Sequence, residues 1–484
     1  MSTKEKLLEI VGAENFSDQP EVLKKYSSDF SLVPPGAPNY VVKAKDASQV
    51  QKVVRFANEN LIPVVPVSSL VHFHGAAIPK QGGIVLDLTR MDRILEIDES
   101  NRRVRIEAGV TWEKLTKELK KKGFRMIMPL LPHPDRSVLT DYLEREVPTN
   151  TVYDYGEPTQ SMEVVWPTGE IFRTGSASVN GYPDSKSKGA NPSGPGIDFY
   201  RLVQGAQGTM GVVTWANFKI ESIPKIDKIF FAGLEDLAYV QEFLYRLLPR
   251  RIGQECVLLN NIDLAILISE NKTDFEKMLS ILPTWTLILV VSGLFRRPEE
   301  KIAYEENFLS QVIRNEFRKI PLSESLPNVP GIGRKLLSML RNPWPSGKPY
   351  WKNLWKGGFQ SLFFITRPAS TPIYVEIVKE VAARNGYPME DVGIYIQPIE
   401  HNRGCQMEFT FFYDPANEME KAMIAQLYRS AATSLFNKGA LFSRPYGELA
   451  PMVYERATSY TTALKRVKKI FDPQNIMNPG NLCF

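Results

Sequence analysis

Between Tyr40 and Leu88 the chain reads strand, helix, strand, long loop, strand, and this order constrains the fold more than any other stretch. "NYVVKA" is a short strand. "DASQVQKVVRFANENL" places apolar residues three and four apart, the spacing of one helix face. "IPVVPV" and "GIVLDL" are two further strands, and the loop between them carries "SSLVHFHGAA". Alternation continues with "RILEID" and "RVRIEAGV", strands joined by "DESNR". A helix, "TWEKLTKELKKKG", follows with Thr111 as its N-cap. "MEVVWPTGEIFRTG" is a hairpin turning on "PTG". "SVNGYPDSKSKGANPSGPG" is a long polar loop, and "GVVTWANFKIESIP" a strand that ends in a proline-marked boundary near residue 225.

Residues 226–440 carry different material. The helical stretches "EDLAYVQEFLYRLLPR" and "PIYVEIVKEVAARNG" accompany the strands "TWTLILVVSG", "VGIYIQPI" and "CQMEFTFFYD", which implies one sheet covered by helices. The last segment, 441–484, returns to a helix, "YTTALKRVKKIF", closed by "DPQNIMNPGNLCF". The expectation is an α+β chain of three parts, 1–225, 226–440 and 441–484. "TWTLILVVSGLF" is about half the length of a membrane span and reads as a buried strand. A net charge of +5 over 484 residues is too mild for a nucleic-acid footprint, and runs such as "LKRVKK" read as solvated helix faces. Cys256, Cys405 and Cys483 form no CxxC and no disulfide framework, so a reducing, cytoplasmic setting is expected.

The loop from Pro66 to Ala77 admits three readings: a metal site on His72 and His74, a phosphate cradle, or a plain crossover. A diphosphate needs several backbone N–H groups converging on it, and a tight loop between strands supplies such a nest. An alternating His-x-His pair would present both rings to one side, but no third ligand stands at a metal-site spacing, and no metal is expected. In "GAQGTMGVVT" the glycines precede a strand instead of a helix, which disfavours a Rossmann nicotinamide site.

These motifs together resemble the vanillyl-alcohol oxidase and 4-cresol dehydrogenase family, with its PCMH-type FAD-binding domain. The loop ending Gly75-Ala76-Ala77 stands where that family keeps its pyrophosphate loop. "SVLTDYLEREVPTNTVYDYGEP", "MEVVWPTGEIFRTG", "GAQGTMGVVT" and "FDPQNIMNPGN" are similar to its other signatures, in the same order. The resemblance implies a two-part FAD domain, a cap domain with an antiparallel sheet covered by helices, and bound FAD. It places Pro66, Val67, Ser68, Ser69, Leu70, Val71, Gly75 and Ala76 of the loop against the cofactor. Ser137, Thr140, Asp141, Gly208, Gly211, Val213, Gln406 and Asn478 join them.

The loop is glycine-poor for this family, and the histidine positions that carry a covalent flavin link fall on Val71 and Gln406, so non-covalent FAD is expected. The family's acidic catalytic residue follows Tyr-Gly and falls on Glu157. Its phenolate-binding positions fall on Phe73, Leu449 and Ala450, which donate no side-chain hydrogen bond. Arg444, Tyr446 and His401 are the polar residues expected to meet a carboxylate or hydroxyl instead, Arg444 foremost because its fork matches a carboxylate. The implied function is a dehydrogenase that takes hydride from a hydroxylated or benzylic carbon of a small molecule. Electrons would pass to a protein acceptor, in an oligomeric protein with no membrane span. The competing class is a degenerate paralogue serving as a structural subunit beside an active flavoprotein homologue.

Overall fold

The computed structural model describes residues 2–152, 157–179 and 190–484. In the first sheet, β1 (Phe16–Ser17), β2 (Tyr40–Lys43), β3 (Val64–Val67) and β4 (Ile84–Asp87) lie in the order β1-β2-β4-β3. β2 and β3 both run parallel to β4. A parallel arrangement needs a crossover, and helix Ala47–Glu59 supplies it, burying Val50, Val53, Val54 and Ala57 with Asp46 as its N-cap. β3 is an edge strand, and the C-terminal segment covers it. Val64 N–H donates to Ile476 O, and Asn478 N–H donates to Val64 O, both at 2.8 Å. That pairing satisfies backbone groups an edge would otherwise leave open.

The next strands are β5 (Ile94–Asp98), β6 (Arg103–Glu107), β7 (Phe124–Arg125), β8 (Thr159–Val165), β9 (Ile171–Arg173), β10 (Val212–Lys219) and β11 (Glu221–Ser222). Five form an antiparallel sheet, β5-β6-β10-β8-β9, and β7 pairs with β11. The β8–β9 hairpin turns as read from the sequence: Gly169 sits at φ +81°, and its N–H donates to Trp166 O at 2.8 Å. One apolar core, including Val54, Leu86, Val104, Trp112, Val164 and Phe218, joins these two sheets. The polar loop of 178–196 lies partly outside the described residues.

The largest sheet is wholly antiparallel. β12 (Ile226–Leu234), β13 (Glu255–Asn260), β14 (Trp285–Gly293), β15 (Gly358–Thr366), β16 (Val392–Ile399) and β17 (Gly404–Tyr413) take the order β12-β14-β13-β16-β17-β15. Every residue of β14 is buried, which accounts for its apolar run. Among the described residues no helix is long and apolar enough to cross a membrane. The helices Leu237–Leu247 and Thr371–Arg384 match the sequence expectation. Helices Pro298–Asn315 and Glu418–Asn437, and strands β12, β13 and β15, have no counterpart in the sequence expectation. Glu418–Asn437 buries Ile424, Leu427, Ala431, Ala432 and Leu435 at helical spacing, but alanines interleaved with charges carry a weak apolar signal.

β17 sends Cys405, Met407, Phe409 and Phe411 into the core under the helices. The strand's period of two turns Gln406 and Glu408 to the opposite face, where a cavity lies.

Candidate functional site

β3 runs into the loop singled out above, and two cavities flank that loop. The first is lined by Pro66, Ser68, His72, Ala76 and Ala77, by Leu139, Thr140 and Glu144, by Gln207, Gly208, Gly211 and Val213, and by Asn478. Asn478 draws these distant segments together: its Nδ2 donates to Ala76 O and to Gln207 O, each at 2.7 Å. Gly208 has φ +72°, and a Cβ there would stand 2.9 Å from the Pro66 ring. The Ser68 and Thr140 hydroxyls bond each other. Asn478 Oδ1 and Gln207 Oε1 are buried acceptors with no partner.

Small side chains, close-packed glycine backbone, two hydroxyls and two orphaned acceptors suit a hydroxyl-rich dinucleotide such as FAD. The residue types fit the group. Not every expected contact is available, however. Leu70 is exposed, and Val67 packs with Val41, Val65 and Val85. The Val71 side chain is buried, and Ser69 Oγ donates to Val71 O. Gly75 N–H is spent on Asp29 Oδ2 at 2.7 Å, and Ser137 Oγ on Ala108 O at 2.6 Å.

The second, inner cavity lies between the loop and the large sheet. Phe73, Tyr350, Phe359 and Phe363 form ring walls, with Phe73 stacked on Tyr350 at 5.3 Å between centroids. Its polar lining is arranged in charge pairs. Arg136 pairs with Asp141 and, at 2.6 Å, with Glu144. Burial pushes the Asp141 carboxyl up to about 6 against the pull of Arg136. Glu146 pairs with Arg444 at 2.8 Å and lies 3.5 Å from His74 Nε2. Burial raises the Glu146 carboxyl, but Arg444 and His74 outweigh it and hold the group well below the usual range. Arg444 also donates to Gln406 Oε1 at 3.0 Å. Lys352 pairs with Glu408.

Beyond His74 a third cavity of about 360 Å³ opens, lined by Leu32, Val33, Pro34, Tyr428, Tyr446 and Leu449 among others. His74, Ser361 and Phe363 line both it and the inner cavity. His74 stands 5.0 Å from the Phe363 ring and 4.7 Å from the Tyr446 ring, so these rings stand between the two spaces.

The expected site residues therefore divide. Pro66, Ser68, Ala76, Thr140, Gly208, Gly211, Val213 and Asn478 meet in the first cavity, and Asp141 and Gln406 in the inner one. Tyr446 lines the outer cavity. Arg444 is buried behind Gln406, already committed to Glu146, and is not an open anion anchor. His401 sits in the turn between β16 and β17 at φ +55°, and Glu157 is exposed; neither lines these cavities. Tyr155 and Gly156 lie outside the described residues. His72 and His74 do not face one way: His72 Nε2 contacts Ser69 O at 2.8 Å in the first cavity, while His74 turns to the other two.

Among the described residues His74, Glu144 and Glu146 cluster closely enough to hold a cation. Arg136 and Arg444 already occupy both carboxylates. Lys352, Glu408, Glu146 and Arg136 were missed from the sequence. A signal existed for Glu408, since "CQMEFTF" alternates polar residues at 406, 408 and 410 along an apolar strand.

A family model described as an FAD binding domain matches residues 38–175, and one described as the C-terminal domain of FAD linked oxidases matches 449–482. The chain is 24% identical over 500 residues to a glycolate oxidase subunit of Bacillus subtilis (strain 168), covering 99% of this chain and 96% of that protein. It is 21% identical over 461 residues to the mitochondrial D-lactate dehydrogenase [cytochrome] of Arabidopsis thaliana, covering 92% and 73%. Its fold matches p-cresol methylhydroxylase with substrate bound at a TM-score of 0.83, with 19% identity and coverage of 99% and 96%.

Proposed function

We propose that this chain, which belongs to the FAD-linked oxidoreductases with a PCMH-type FAD-binding domain, is a dehydrogenase acting on a hydroxylated or benzylic carbon and delivering the electrons to a protein acceptor. The observation that supports this most is the placement of His74. It stands on the same short loop as Ser68 and Ala76 of the dinucleotide cavity, yet faces a ring-walled cavity on the other side. FAD, when bound, supplies a two-electron hydride acceptor.

The chain's own residues supply the rest. Phe73, Tyr350 and Phe359 hold an apolar or aromatic body against the loop. His74 accepts the proton of the substrate hydroxyl. Glu146, 3.5 Å from His74 Nε2 and kept ionised by Arg444, stabilises the imidazolium that results. Gln406 braces Arg444 from β17. Pro129, Leu130 and Pro132 add apolar surface to the wall of the inner cavity.

The competing assignment of the base to Glu157 rests on its position after Tyr155-Gly156. Anaerobic stopped-flow reduction of the flavin, with benzylic alcohols and 2-hydroxy acids as reductants, separates the two. His74→Gln is expected to slow bleaching by about 10²–10⁴-fold, and Glu157→Gln to leave it unchanged. The reverse result gives the base to Glu157. Wild-type flavin that no alcohol or hydroxy acid bleaches removes the dehydrogenase reading.

A further inference from the structure

Lys352 is held from every side. Its Nζ donates to Glu408 Oε1 and to Ser361 Oγ at 3.2 Å, and lies over the Trp351 and Phe359 rings at 5.2 and 5.5 Å. Glu408 is equally engaged, accepting from Ser361 Oγ at 2.8 Å and Thr410 Oγ1 at 3.3 Å. Both side chains line the inner cavity and are nearly buried.

The remaining charges around this cavity are committed in the same way. Arg136 serves Asp141, Glu144 and Val71 O. Arg444 serves Glu146, Gln406 and Glu144 O. Among the described residues lining the cavity, each cation already has a carboxylate. A ligand carboxylate entering here loses its water and finds no cation to replace it, unless it breaks a buried pair and strands the displaced partner. A cationic ligand meets the mirror-image obstacle. An uncharged hydroxyl meets neither.

We propose that the Lys352–Glu408 pair is the charge-selectivity element of the inner cavity, closing it to carboxylates and ammonium groups and admitting uncharged alcohols. This rests on the dehydrogenase reading above and narrows its substrate class to neutral alcohols, against 2-hydroxy acids. Each half of the pair, freed of the other, would invite the opposite charge.

The test uses the flavin-loaded protein and three probes that share a phenyl ring: benzyl alcohol, benzoate and benzylammonium. Calorimetric titration reads binding without turnover. Wild type is expected to bind benzyl alcohol at least about tenfold tighter than either ion, a difference of about 1.4 kcal/mol. Glu408→Gln leaves Lys352 without a carboxylate, so benzoate should gain about tenfold or more while benzyl alcohol changes by less than about threefold. Lys352→Met should produce the same gain for benzylammonium. The two substitutions act in opposite directions, so either variant that folds, judged by circular dichroism, suffices.

Wild type that binds benzoate as tightly as benzyl alcohol overturns the proposal. So does a folded variant with an unchanged order of affinities, or wild type that binds none of the three. The two readings fail separately. Selective binding of the alcohol without flavin reduction removes the dehydrogenase and leaves the selectivity element. Reduction by alcohols with equal binding of benzoate does the opposite.

Discussion

On one side of the loop from Val71 to Gly75, the cavity wall is glycine backbone, alanine, hydroxyls and two unpaired carboxamide oxygens. On the other it is aromatic rings and carboxylate–cation pairs. The first wall recognises by shape and open hydrogen-bonding positions, so adding atoms or charge should damage it. The second is electrically closed, so removing one member of a pair should damage it. The contrast makes the two sites respond to different substitutions, and the following variants test whether they do.

The largest effect on flavin binding is expected at Gly208. Valine there places a β-branched side chain at φ +72° and a Cβ 2.9 Å from Pro66, a conformation that costs on the order of 1–3 kcal/mol before any steric clash. Flavin content of the purified protein should fall to below about a tenth of wild type, a loss of about 1.4 kcal/mol or more in binding, while circular dichroism is retained. Full flavin occupancy would break the shape argument.

Next is Glu146→Ala, which leaves Arg444 buried without its carboxylate. Loss of one partner of a buried pair costs about 3–5 kcal/mol, to be read from urea unfolding of the apoprotein. A loss below about 1 kcal/mol, the level of an exposed pair, would mean that the inner wall is not electrically closed.

Third is Asp263, behind the Lys352–Glu408 pair. Burial pushes its carboxyl up to about 7 against the pull of Lys352, with a smaller push from Glu408; both its oxygens lack a hydrogen-bond partner. The folded state therefore keeps a proton that the unfolded chain releases near pH 4, and stability falls as pH rises from about 4 to about 7. Asp263→Asn should flatten that decline, gaining on the order of 2 kcal/mol at pH 8 relative to its effect at pH 5. Parallel pH profiles of the two proteins would contradict it.

The smallest effect is Ser68→Asp, a charge placed against a diphosphate. Its flavin affinity should drop by about tenfold, or 1.4 kcal/mol. Equal retention would return the loop to a plain crossover.

Legibility followed the same division. The strand–helix–strand order and the Thr111 cap were readable because each is a local rule of spacing or capping. Gly208 and Asn478 were readable as parts of motifs. The partners of His74 were not, since Glu146, Arg444 and Gln406 come together only when β17 and the segment after it fold onto the loop. Arg444 was misread as an open anchor for that reason. A guanidinium looks available in sequence until its carboxylate, distant in the chain, is known. Strands β12, β13 and β15 escaped because their apolar content blends with that of neighbouring buried helices.

FAD is expected to occupy the first cavity without a covalent bond, since Gln406 braces Arg444 and Val71 offers only a buried alkyl group. Acid precipitation of the purified, yellow protein tests it in one step. The flavin absorbance should leave with the supernatant, and the pellet should be colourless. Absorbance that stays with the pellet would contradict it, as would a protein that takes up no FAD.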